Sequence, residues 1–87
     1  MKYGQQSIIR EYVKNLSDED LRYIGTRITE RLCGDLGDAV NALGRNRNID
    51  EVLRTARGSI DLYEMCDFIR DQMWTEAEHR GMIKNAG

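Results

Sequence analysis

The chain has 87 residues, 40% hydrophobic and 32% charged, with 13 Lys+Arg against 15 Asp+Glu and no proline. Those figures suit one small soluble domain over 1–87 and exclude both a low-hydrophobicity disordered chain and a strongly basic nucleic-acid clamp. Two cysteines do not make a disulfide scaffold, and no run approaches the roughly 18 uninterrupted apolar residues of a membrane span. Met1-Lys2-Tyr3-Gly4-Gln5-Gln6 lacks the apolar segment of a secretory signal, so the expected setting is cytoplasmic, with reduced thiols.

The first apolar group, Ile8, Ile9, Tyr12, Val13 and Leu16, falls on one side of a helix and predicts a first helix from about Gln5 to Asn15. Ser17-Asp18-Glu19-Asp20 then reads as a helix start. Ser17 can accept from the amide three residues on, Asp20 can reach back, and Leu16 and Leu21 occupy the positions of a hydrophobic staple. Three acids in the first turn also meet the positive end of the helix dipole.

The second helix carries Leu21, Ile24, Ile28 and Leu32 as its stripe, with Asp18 and Arg22 spaced for an i, i+4 pair. Leu36, Ala39, Val40 and Leu43 continue the same phase past Gly34 and Gly37. The expectation is a break near Cys33-Gly34-Asp35, with Asp35 recapping a short third helix; one continuous helix over 18–43 is the alternative. Gly44 closes that segment and Arg45-Asn46-Arg47 connects it onward.

Asn48 and Glu51 resemble a second capping box, opening a short helix with Ile49, Val52, Leu53 and Ala56 that ends at Arg57-Gly58. Ser59 or Asp61 starts the last helix, which runs to about His79 or Arg80. Its stripe of Leu62, Cys66, Ile69 and Met73 lies within about 60° of arc, with Met65 and Ala77 beside it. The tail, Gly81 to Gly87, has little to pack and is expected to fray. No period-two alternation is bounded by turn residues, so no sheet is predicted. The fold expected is all-α, an antiparallel bundle of four or five helices.

Chemistry-bearing patterns are sparse. Glu76-x-x-His79 has the i, i+3 spacing of carboxylate-bridged metal bundles, but the motif occurs once and the chain has one histidine. Cys33 and Cys66 lack CxxC spacing and sit among apolar residues, as core cysteines do. Gly34-x-x-Gly37 lacks the strand and the lysine of a phosphate loop. Asp61, Glu64, Asp67 and Asp71 share a helical face, which reads as solvated. Neither an enzyme, nor a metal or cofactor site, nor a small-molecule substrate is expected.

Arg45, Arg47, Arg54 and Arg57 place four guanidiniums within thirteen residues, a pattern suited to phosphates. A helix-turn-helix outline accompanies them, with Gly58-Ser59 as the turn. The would-be recognition helix, however, carries Asp61, Glu64, Asp67 and Asp71 against Arg70, and a nucleic-acid backbone repels such a helix. Nucleic-acid regulation through these arginines is the second reading.

The first reading is a protein partner. On the last helix Tyr63 and Trp74 lie about 100–120° from Leu62 on one flank, and Phe68 lies about 120° away on the other. That apolar arc is wider than one neighbouring helix covers, and aromatic side chains of this kind anchor interfaces. Tyr63, Phe68, Arg70 and Trp74 are therefore the expected contact residues of a non-enzymatic interaction module, which a second copy of the chain can complete as a homodimer. A membrane surface is not expected, since the polar face of this helix is acidic.

Overall fold

The computed structural model describes residues 2–30, 36–43, 47–55 and 61–83, and among them there are five helices and no strand. These are α1 (Tyr3–Lys14), α2 (Asp18–Glu30), α3 (Leu36–Leu43), α4 (Arg47–Thr55) and α5 (Asp61–His79). The all-α expectation holds. The break at Cys33-Gly34-Asp35, the Gly44 closure and the Gly58-Ser59 turn lie outside the described residues.

Helix boundaries follow local hydrogen-bond chemistry. Ser17 Oγ accepts the Asp20 amide at 3.1 Å, and the Leu21 amide donates to the Ser17 carbonyl at 2.8 Å. Ser17 is thus the cap that starts α2, with Asp18, Glu19 and Asp20 in its first turn. α1 begins at Tyr3, two residues earlier than expected, because the Gln5 Oε1 accepts the Lys2 amide at 2.9 Å and satisfies an otherwise orphan donor. α4 begins at Arg47, so Asn48 lies inside the first turn rather than at the cap.

The principal helix contacts close a ring in the order α5, α1, α4, α3, α2 and back to α5. Each helix turns its apolar stripe inward, and the core fills the ring. Ile9 and Val13 enter it from α1, Leu21, Ile24 and Ile28 from α2, Ala39 and Leu43 from α3, and Ile49, Val52 and Leu53 from α4. α5 contributes most, with Leu62, Met65, Cys66, Ile69, Met73 and Ala77 all buried. No polar or charged residue among those described is buried. The radius of gyration, 12.4 Å, is close to the roughly 12 Å expected of a folded chain this long. Ile8 departs from the predicted stripe: it is 38% exposed, because Ile9 and Val13 already fill the position facing the core.

Polar links between helices add to this packing. The Tyr12 hydroxyl donates to the Leu43 carbonyl, joining α1 to the end of α3. Gln5 Nε2 donates to Thr55 Oγ1 at 2.8 Å, joining α1 to the end of α4.

Of the tail expected to fray, 84–87 lies outside the described residues, whereas 81–83 is tied down at the end of α5. The Gly81 amide donates to the Glu78 carbonyl at 3.0 Å, and the Met82 amide to the Ala77 carbonyl at 2.9 Å, with Gly81 at φ 75°. This is a Schellman closure, in which glycine takes the left-handed position at little steric cost. It turns the chain back so that Met82 and Ile83 pack, half-buried, against the core.

Candidate functional site

The closure at Gly81 shapes one end of a groove between α2 and α5. Leu21, Met73 and Ala77 are its buried apolar floor, and Met82 and Ile83 line it from the returning chain. Trp74, Arg70, Arg22 and Thr26 complete the lining with Gly25, and the groove's volume is about 390 Å³. An ideal Cβ placed on Gly25 meets nothing within 4 Å, so the missing side chain leaves open space on the α2 wall. The Thr26 hydroxyl is already committed, donating to the Arg22 carbonyl at 2.9 Å.

The chemistry this lining offers is apolar surface with two guanidiniums. No carboxylate, imidazole or thiol lines the groove among the described residues. Such a lining can accept an apolar surface that carries negative charge at its edge, and among the described residues it holds no proton-transfer pair.

Of the four side chains expected at a partner surface, three share a face. Tyr63, Arg70 and Trp74 fall within about 40° of arc on α5. Trp74 is 57% exposed and Tyr63 45% exposed. Arg70 sits between them, 3.5 Å from Asp67 on the same face. Phe68 is on the other flank, half-buried against the core, with the Arg10 guanidinium of α1 5.5 Å from its ring centroid. It serves the contact between α1 and α5.

The arginine cluster is only partly described, since Arg45 and Arg57 lie outside the described residues. Arg47 and Arg54 are exposed on α4 and border a shallow depression that they share with Asp50 and Glu51. Two carboxylates thus stand beside the two guanidiniums, and the local charge is balanced. One Asp50 oxygen is buried there without a hydrogen-bond partner among the described residues. The carboxylates of Asp20 and Asp50 also bear on Tyr12. Burial first, and then these two charges, push the Tyr12 phenol from 10.0 up to about 12.

The Glu76-x-x-His79 spacing places its two side chains apart in role: Glu76 pairs with Arg80 at 3.6 Å, whereas His79 is exposed. Among the described residues no three His, Cys, Asp or Glu side chains gather as metal ligands. Cys66 is buried in the core, and Cys33 lies outside the described residues. None of the described helices is long and apolar enough to cross a membrane.

Sequence reasoning missed Arg80. Its guanidinium is 2.9 Å from Asp18 Oδ1 and donates to the Lys14 carbonyl at 3.1 Å, so it clasps the end of α1 and the start of α2 from the end of α5. No protein family, curated protein or solved structure matches the chain, so no relative's activity carries over to these residues.

Proposed function

We propose that this chain is a non-enzymatic protein–protein interaction module whose contact surface is the α5 face bearing Tyr63, Arg70 and Trp74 together with the adjoining α2–α5 groove. The observation that carries the reading is the position of Trp74, more than half exposed at the edge of an apolar groove. A large aromatic side chain beside apolar surface gains most from being covered, and tryptophan and arginine are the residue types that dominate contact energies. Phe68 is left out of the surface because α1 already covers it.

The test is site-specific photocross-linking in cells that make the protein, with a benzophenone amino acid at position 74 and, as control, at position 54 on α4. A discrete protein adduct from position 74 that position 54 does not give is the expected result. Absence of any adduct from position 74 contradicts the reading. Nucleic-acid binding through Arg47 and Arg54 has less support, because Asp50 and Glu51 share their depression.

A further inference from the structure

The exposed face of α5 has an internal symmetry. In sequence, the midpoint between Tyr63 and Trp74 is also the midpoint between Asp67 and Arg70. All four lie on one side of the helix, since the steps 63, 67, 70 and 74 follow the i, i+4, i+7, i+11 rhythm. None of the four is buried: Tyr63, Asp67 and Trp74 are exposed, and Arg70 keeps 42% of its side chain accessible. Read from either end, the face runs aromatic, charged, charged, aromatic, with the two charges opposite in sign.

We infer that this face pairs with the same face of a second copy, the two α5 helices running antiparallel about a two-fold axis so that Tyr63 meets Trp74 and Asp67 meets Arg70 of the other copy. The inference rests on the interaction-module reading and names its partner. A two-fold contact requires a surface complementary to itself. This one supplies two aromatic pairs at the ends and two Asp–Arg pairs at the centre, spread over roughly 16 Å of helix. Opposite charges brought face to face fix the register and disfavour other partners. Trp74 stands at the groove mouth, so Tyr63 of the other copy, set against it, extends the apolar contact toward the groove. Glu64 and Asp71 lie further round the helix, exposed at the edge of the contact, where water and salt screen them.

The test is sedimentation equilibrium on the full chain, with circular dichroism to confirm helicity. From about 5 to 500 µM the wild-type mass should rise from the 10.1 kDa monomer toward twice that value, as a micromolar contact requires. Asp67→Arg makes both central positions cationic, and Arg70→Asp makes both anionic. Each variant alone should dimerise at least about tenfold more weakly, and an equimolar mixture should recover the dimer, because each cation then faces an anion. A wild-type mass fixed at the monomer value throughout overturns the second copy as partner. If position 74 still cross-links to a different protein, the interaction-module reading survives that result. A wild-type dimer indifferent to both substitutions overturns the register.

Discussion

Arg80 holds Asp18 across sixty-two positions of sequence, its guanidinium 2.9 Å from the carboxylate. The same fork reaches the Lys14 carbonyl, so one side chain satisfies an orphan acceptor at the end of α1 and faces an acid in the first turn of α2. Only 20% of the Arg80 side chain is exposed, against 71% of Asp18. Arg80→Ala should therefore cost about 1.5–3 kcal/mol in urea unfolding, as loss of hydrogen bonds from a charged donor does. Arg80→Lys should recover less than half of that, because an ammonium cannot reproduce the fork. Asp18→Asn, at the exposed side of the pair, should cost about 0.5 kcal/mol.

Burial of the Tyr12 phenol, with Asp20 and Asp50 adding to it, makes stability sensitive to alkali. The phenol ionises near 10 in the unfolded chain and at about 12 in the folded one. The folded state therefore keeps a proton that the unfolded state releases. Stability from this group is complete below pH 10 and is lost as pH rises toward 12. Thermal unfolding followed across that window should show a falling midpoint, and Tyr12→Phe should flatten this component. At neutral pH the same substitution should cost about 0.5–1.5 kcal/mol, the net worth of the hydrogen bond it removes.

Gly25 offers a way to separate fold from contact. A glycine in mid-helix costs about 1 kcal/mol relative to alanine, and an added Cβ here meets nothing within 4 Å. Gly25→Ala should raise stability by about 0.5–1 kcal/mol in urea titration. Gly25→Leu projects a larger side chain into the groove; it should leave helicity intact and weaken the adduct formed from position 74.

A balanced charge around Arg47 and Arg54 gives a prediction for nucleic acid. Fluorescence anisotropy with a labelled 20-base-pair duplex at about 50 mM salt should show no association below about 100 µM protein. Steeply salt-dependent binding, lost when Arg45, Arg47, Arg54 and Arg57 are all changed to glutamine, would favour the nucleic-acid reading instead.

What the sequence made legible was mostly local. Ser17 followed by three acids marks a helix start through bonds made within four residues, and α2 begins there. The stripe Leu62, Cys66, Ile69 and Met73 is buried as its 100° phase requires. Features that depend on distant partners were not legible. Periodicity put Phe68 on the flank of α5, but only the path of α1 decides that Arg10 covers it. Arg80 reaches residues more than sixty positions away, and no spacing rule anticipates that. The return of Met82 and Ile83 to the core did leave a trace: a glycine directly after a helix, followed by apolar residues, is the sequence pattern of a Schellman closure. At the site, the residue types were readable, but the groove was not. It forms where Gly25 of α2 omits a side chain opposite α5 and the turn at Gly81 lines one end.

The most direct test of the α5 face uses Trp74, the only tryptophan in the chain, as its own probe. Acrylamide quenching of its fluorescence should be measured on the dilute chain and again at several hundred times that concentration. Ready quenching when dilute, followed by loss of quencher access and a blue-shifted emission when concentrated, is the result expected of an exposed side chain that a second copy covers. A Trp74 already shielded in the dilute monomer would contradict the account, because no open face would then remain for a partner.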